Sequence, residues 1–96
     1  MYTYFVYILA SKRNGTLYIW VTDNLIRRIT EHREWVNAWF TKRYDIHILV
    51  WYERFENIYD AITAEKRMKK WKREYKLSVI EDANPDWKDL YNDLIQ

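Results

Sequence analysis

Cysteine is absent from this chain of 96 residues, and glycine and proline occur once each, as Gly15 and Pro85. Without cysteine the chain has no disulfide and no thiolate metal site. Glycine normally makes up about 7% of a protein and serves turns and close backbone approaches. The chain therefore either has few positions of that kind or fills them with larger residues.

The chain also lacks a long apolar run and a strong net charge. Its N-terminus, MYTYFVYILA, has neither the basic region nor the cleavage site of a signal peptide, and no segment approaches a membrane span. We therefore expect a soluble, cytoplasmic protein. The formal net charge of +2 is too small to indicate nucleic-acid binding by itself.

Aromatic residues are abundant, at 19% of the chain, with 6 Trp and 9 Tyr. Each buries a large area, which helps a short chain to form a sufficient core. Aromatic residues that a core does not need mark interaction surfaces. Because the length is close to the commonest domain size, we predict a single domain over residues 1–96.

Three segments have the composition of strands. Residues 2–9, 16–21 and 46–52 are rich in β-branched and aromatic residues, as in buried strands. Asn14-Gly15 predicts a hairpin between the first two. With a two-residue turn, Ser11 lies opposite Tyr18, whereas a bulge would shift this pairing.

Side chains along the hairpin alternate between its two sides, and this alternation groups three aromatic residues. On the two-residue register, Tyr7, Tyr18 and Trp20 project from the same side. An aromatic surface is therefore expected on one side of the hairpin.

Helical spacing completes the predicted order ββαβααα. One helix covers residues 23–34 after an N-cap at Thr22 or Asp23, and a long one follows Asn57. The long helix carries an inward stripe of Ile58, Ala61, Ile62, Glu65, Met68 and Trp71. Further helices are predicted at about 75–83 and from Pro85 onward. The fold class is α/β (α+β), a small three-stranded antiparallel sheet flanked by helices.

Glu65 lies on the apolar stripe of the long helix, where a carboxylate costs free energy unless it is paired or bound to a cation. It can pair with Lys69, four residues later. Alternatively it can bind Mg²⁺, which takes one or two carboxylates together with waters and phosphate oxygens.

Arg28 and His32 lie four residues apart on one helix and can point at one spot. An inward arginine suits a phosphate, which it meets with two parallel hydrogen bonds. The alternatives are an arginine that extends past apolar neighbours and a half-buried histidine. Tyr7 and Tyr18 can hold a water, or they can be core residues. A phenol is a weak base unless a cation lowers its pKa.

Taken together, these motifs resemble the GIY-YIG nuclease superfamily, especially its small single-domain bacterial members. The resemblance rests on Phe5-Val6-Tyr7, Leu17-Tyr18-Ile19, Asn24-Leu25 through Arg28, Glu31-His32, Ala61-Ile62 through Glu65-Lys66, and Asn84-Pro85-Asp86-Trp87. It implies an endonuclease that cuts DNA with one Mg²⁺ bound by Glu65. Arg28 would stabilise the phosphate, and Tyr7 or Tyr18 with His32 would position and deprotonate the attacking water.

Three tryptophans depart from that family pattern, because Trp20, Trp35 and Trp39 stand where glycine is expected. They are either core residues or an exposed patch that binds a protein partner or a second copy. The patch would comprise Trp20, Val21, Ile26, Trp35, Val36 and Trp39. We favour the patch, engineered over a nuclease site that it impairs; an active endonuclease is the alternative.

A basic run follows Glu65 and is the remaining feature. By the family resemblance, its members Lys66, Lys69, Lys70 and Arg73 are candidates for DNA contact. A charge run of this kind is also typical of a solvated helix face.

Overall fold

The computed structural model describes residues 2–34 and 48–95, without the side chains of residues 32–34. Over these ranges it has the predicted order ββαβααα. The elements are β1 (Tyr4–Ala10), β2 (Leu17–Thr22), α1 (Leu25–Glu34), β3 (Ile48–Phe55), α2 (Ile58–Lys70), α3 (Arg73–Ala83) and α4 (Tyr91–Leu94). None of these described helices is long and apolar enough to cross a membrane.

The three strands form an antiparallel sheet in the order β2-β1-β3, which confirms the predicted fold class. The central strand β1 is covered on both faces, with Val6 through Ala10 at most 1% exposed. Coverage on both faces explains why this segment shows no polar alternation. Ile8 lies opposite Trp51 and Leu9 opposite Leu49, so β3 carries a bulge between these pairs.

Helices cover the two faces of the sheet with two separate cores. On what we call the α2 face, α2 and α3 pack against the sheet. Its buried residues are Val6, Ile8, Ala10, Ile19, Val50, Ala61, Met68, Ile80 and Trp87. On the α1 face, α1 and α4 pack against Tyr7, Leu9 and Leu49. The α1 face is therefore the one that receives a buried tyrosine from β1.

The hairpin register differs from the prediction. Tyr18 lies opposite Leu9, not Ser11, so the two-residue turn is wrong. The shift amounts to two residues, and side chains alternate with a period of two, so each keeps its face. Tyr7 lies opposite Trp20. The expectation that Tyr7, Tyr18 and Trp20 share one side of the hairpin is therefore confirmed.

The longer turn is held by its own backbone and by α3. The Gly15 amide donates to the Lys12 carbonyl at 2.9 Å, and Asn14 takes the left-handed φ of 58°. A Cβ on Gly15 would collide with the Ser11 hydroxyl, which explains why glycine stands at this position. Arg73 donates to the Asn14 and Gly15 carbonyls at 2.6 and 2.5 Å. The start of α3 is thereby tied to the hairpin.

Two asparagines cap the helices that carry the site. Asn24 caps α1, because its side chain accepts from the Arg27 amide at 3.0 Å. The predicted cap at Thr22 or Asp23 is wrong, since the Thr22 hydroxyl accepts from the Asn24 amide instead. Asn57 caps α2 as predicted, accepting from the Tyr59 amide at 2.7 Å. Both helices therefore begin with a side chain that satisfies a free amide.

The buried side-chain amide of Asn84 holds the C-terminal region in its conformation. Asn84 ends α3, and its side chain donates to the Val50 and Lys88 carbonyls and accepts from the Lys88 amide. This network holds a turn in which Trp87 takes a φ of 54°. The predicted helix from Pro85 is therefore wrong, and α4 begins only at Tyr91.

Candidate functional site

Tyr7, Tyr18 and Arg28 come together on the α1 face. Tyr7 lies at the fully buried centre of β1, and Tyr18 lies half-buried on β2. Arg28 follows Leu25 on α1, and its guanidinium hydrogen-bonds both phenols. The structure therefore brings together three of the predicted site residues from three elements.

The two phenols are held in their neutral form. Burial, reinforced by the neighbouring Tyr18, raises the pKa of Tyr7 well above its ordinary value, and Arg28 offsets only part of this. Burial also raises the pKa of Tyr18, against the lowering effect of Arg28. In this arrangement the phenols position other groups and do not serve as ready bases.

Arg28 is a permanent cation at the rim of this cluster. Burial disfavours its charge, but the hydrogen bond to Tyr7, the nearby phenols and Glu31 outweigh burial and raise its pKa. Its Nη1 lies 3.5 Å from Glu31 Oε1, and both side chains are about one-third exposed, at 33% and 32%. A phosphate arriving from solvent can therefore compete with Glu31 for this guanidinium.

Other predicted site residues fall outside the described positions. His32 lies one turn after Arg28 on α1, but its side chain is not among those described. Trp35, Val36 and Trp39 lie in the segment between the described ranges. The roles assigned to these four residues stay predictions.

Glu65 is buried on α2, with 7% of its surface exposed. Its Oε2 lies 3.0 Å from the Lys69 ammonium, which confirms the predicted pair one helical turn apart. The rest of the inward stripe agrees with the prediction at Ala61 and Met68, which are buried. Ile58 is 41% exposed and was wrongly placed inward.

Trp20 links the tyrosine cluster to Glu65. Its indole stacks on the Tyr18 ring, with centroids 5.9 Å apart and planes inclined by 21°. The Lys69 Nζ lies 3.8 Å from the centroid of the Trp20 ring. A continuous chain of contacts therefore runs from Tyr18 on β2 through Trp20 and Lys69 to Glu65 on α2.

An open cleft of about 300 Å³ lies beside Trp20. It is lined by Tyr4, Trp20, Val21, Thr22, Asp23, Arg27, Arg28, Ile58 and Ile62. Two arginines and an indole at one cleft suit a ligand with negative charge and a flat ring, such as a nucleotide.

The predicted DNA-contact residues divide into two pairs. Lys66 and Lys70 are exposed on α2. Lys69 and Arg73 already bind protein groups, Lys69 at Glu65 and Arg73 at the hairpin carbonyls. Lys66 and Lys70 are the members best placed to meet a phosphate backbone without first breaking such a contact.

Sequence reasoning missed the role of two residues in the site. Helical spacing pairs Lys69 with Glu65, but the contact of Lys69 with Trp20 joins positions far apart in sequence, and no local pattern indicates it. Glu31, which pairs with Arg28, could have been found from its spacing of three residues on a helix.

A single carboxylate limits which metal the site can hold. Among the described side chains, no three or more Cys, His, Asp or Glu residues form a cluster that could hold a metal ion. Zinc and calcium sites normally need several protein ligands. Glu65 alone fits Mg²⁺, which completes its shell with waters and phosphate oxygens.

Comparisons with known proteins agree with this architecture. A family model described as the GIY-YIG catalytic domain matches residues 3–78. A UPF0213 protein of Staphylococcus haemolyticus is 34% identical over 82 residues, covering 85% of this chain and 99% of the relative. One of Clostridium perfringens is 38% identical over 76 residues, covering 79% and 81%. One of Pediococcus pentosaceus is 34% identical over 77 residues, covering 80% of each. No solved structure matches.

Proposed function

The chain belongs to the GIY-YIG catalytic domain family, and we propose that it is a Mg²⁺-dependent DNA endonuclease of reduced activity. The observation that carries the proposal is the line of contacts from Arg28 and the tyrosines, through Trp20, to the buried Glu65. A fixed cation and a buried carboxylate joined by such a line of contacts are the kinds of group that phosphodiester hydrolysis needs.

Arg28 is the proposed stabiliser of the phosphate. It keeps its charge at every physiological pH, and its ion pair with Glu31 is long at 3.5 Å. A phosphate offers two oxygens in the fork geometry that a guanidinium prefers. The negative charge that builds on those oxygens during hydrolysis would be met by a donor already in place.

The two tyrosines have different proposed roles. Tyr7 is fully buried and holds the Arg28 side chain in position. Tyr18 is half-buried, so its hydroxyl is the one that can orient an attacking water. His32, one helical turn beyond Arg28, is the proposed proton acceptor, because its ordinary pKa lies near neutrality.

Glu65 is the proposed ligand of Mg²⁺, which when bound would supply positive charge to the phosphate and lower the pKa of a water. The reduced activity follows from the neighbours of this carboxylate. Lys69 already engages Oε2, and the Trp20 indole lies over that ammonium. The carboxylate is therefore less open to a metal ion than an unpaired one would be.

Plasmid nicking in the presence of MgCl₂ tests this proposal. We expect slow cleavage by the unaltered chain, loss of cleavage with EDTA, and a fall of about 10²-fold or more in Glu65→Gln. Glu53→Gln is the matched control, because Glu53 is exposed on β3. Equal cleavage by the Glu65 and Glu53 variants, or no cleavage by the unaltered chain, would contradict the proposal.

A protein-binding surface is the second candidate function. Around the cleft, Trp20 is 40% exposed and Ile58 41% exposed, and Val21 also lines the cleft. Exposed large apolar side chains that cluster in this way support an interface. Trp35, Val36 and Trp39 were predicted to extend it, and that extension and an engineered origin stay predictions.

Sedimentation velocity at rising protein concentration tests self-association through this surface. We expect the double substitution Trp20→Ser with Ile58→Ser to shift the chain toward a monomer. Ile95→Ser is the control, because Ile95 is exposed at 53% outside the cleft. An identical concentration dependence for all three proteins would exclude self-association through the cleft.

A further inference from the structure

Lys69 is the cation that pairs with the buried carboxylate of Glu65. Its Nζ lies 3.0 Å from Glu65 Oε2 and 3.8 Å from the centroid of the Trp20 ring. The Glu65 side chain is only 10% exposed, and that of Lys69 is 39% exposed. The ammonium therefore lies between the one buried carboxylate of the described residues and an aromatic face.

We propose that Lys69 is an internal cation that holds Glu65 until a divalent ion displaces it, and that Trp20 keeps Lys69 in that position. This inference rests on the proposed role of Glu65 as a metal ligand. It goes further by assigning Lys69 and Trp20 a role in controlling metal binding.

Electrostatics gives the reason for competition. A buried carboxylate needs a positive partner, and Lys69 supplies one through a charge-assisted hydrogen bond. A divalent ion bound to the same carboxylate would lie close to the ammonium, and like charges at that separation repel strongly in a partly buried site. The lysine must therefore withdraw when the ion binds.

Trp20 adds a second attraction for the same ammonium. The face of an indole is electron-rich and binds a cation at this distance. The indole is itself held by stacking on Tyr18. Withdrawal of Lys69 thus breaks two contacts, and the one with Trp20 makes release harder than for a simple surface pair.

Binding of MnCl₂ to the full chain, followed by the electron paramagnetic resonance signal of free Mn²⁺, tests the inference without any need for catalysis. We expect Lys69→Met to lower the Kd for Mn²⁺ about tenfold. Trp20→Leu should lower it about two- to fivefold, because the cation–π contact is the weaker of the two. Lys70→Met is the matched control, an exposed lysine on the same helix, and should change the Kd less than twofold.

The double variant Glu65→Gln with Lys69→Met identifies the ligand. If the tighter binding acts through Glu65, the gain must disappear in this variant. An unchanged Kd in Lys69→Met, or an equal gain in Lys70→Met, would overturn the inference. The second of these results would mean that Lys69 acts only through general surface charge.

A measurement on the unaltered chain does not depend on any variant folding. The indole should shift the ε-methylene proton resonances of Lys69 upfield, and saturation with MgCl₂ should move them toward ordinary lysine values. Resonances that stay in place at saturating Mg²⁺ would overturn displacement. Mn²⁺ binding that follows the expected pattern without any plasmid nicking would keep this inference and reject the nuclease.

Discussion

The two faces of strand β1 are equally closed to solvent but carry different side chains. On the α2 face, Val6 and Ile8 are fully buried in an apolar core. On the α1 face, Tyr7 is fully buried too, yet it carries a phenol that hydrogen-bonds Arg28. The comparison indicates that Val6 and Ile8 serve packing alone, whereas Tyr7 combines burial with a polar contact, at a cost in stability.

The largest expected change in stability comes from a substitution on the α2 face. Ile8→Ala removes a fully buried side chain and should lower the free energy of unfolding by about 4 kcal/mol. Urea denaturation measures this, with Ile26→Ala as the control, because Ile26 is 43% exposed and should lose less than about 1 kcal/mol. Similar losses of unfolding free energy in the two variants would show that burial on the α2 face does not determine the loss.

The next effect is on activity at the α1 face. Arg28→Met should lower the rate of DNA cleavage by about 10²-fold, because a fixed donor to the phosphate is lost. Its free energy of unfolding should change by less than about 1.5 kcal/mol. Arg54→Met is the control, because Arg54 is exposed on β3 and does not line the cleft. Equal losses of rate in both variants would mean that Arg28 has no special position.

The pH dependence of stability tests the effect of burying the Tyr7 phenol. Its pKa is raised in the folded state, so the folded chain holds the phenolic proton more tightly than the unfolded chain. The stability associated with Tyr7 is therefore complete below the ordinary value of 10.0. It is lost as the pH rises beyond that value, at up to about 1.4 kcal/mol per pH unit.

Tyr7→Phe should accordingly flatten the fall in unfolding free energy above pH 10, as measured by urea denaturation at several pH values. Tyr59→Phe is the control, because Tyr59 is 77% exposed and should leave the slope unchanged. If Tyr7→Phe retains the full slope of the unaltered chain, the buried phenol does not cause it.

The smallest expected change in stability comes from a substitution at the hairpin, outside both faces of the sheet. Arg73→Met removes the hydrogen bonds to the Asn14 and Gly15 carbonyls and should lower the free energy of unfolding by about 1 kcal/mol. Arg67→Met, on the exposed side of α2, is the control for both stability and DNA binding. A salt-dependent loss of DNA affinity in Arg73→Met alone would restore Arg73 as a DNA contact.

Much of the fold was predictable because its signals are local. The run of apolar residues in β1 predicted a strand covered on both faces, and Asn57 predicted the start of α2. The length of the turn after Ser11 was not predicted; in the structure two of its carbonyls accept from Arg73, a contact far along the chain that no local pattern indicates. The helix expected from Pro85 failed because the Asn84 side chain is anchored to the distant Val50 carbonyl on β3 and also holds the following turn at Lys88.

The features of the candidate site that were predictable likewise depend on local spacing. Spacing alone placed Arg28 and His32 on one helix and paired Glu65 with Lys69, because helical periodicity is fixed by the backbone. Alternation placed Tyr7, Tyr18 and Trp20 on one side of the hairpin, and this survived a wrong register because the error was an even number of residues. The catalytic roles of these residues stay predictions.

Spacing along the chain is enough to predict the order of the elements, the faces on which side chains lie and the family pattern. Which charged groups come into contact, and which groups are shielded from water, depends on how distant segments pack. Trp20 lies over Lys69 because β2 and α2 are packed together, and Tyr7 keeps its proton because helices and strands from distant segments exclude water around it. Desolvation and contact between remote segments are properties of packing, and no local pattern encodes them.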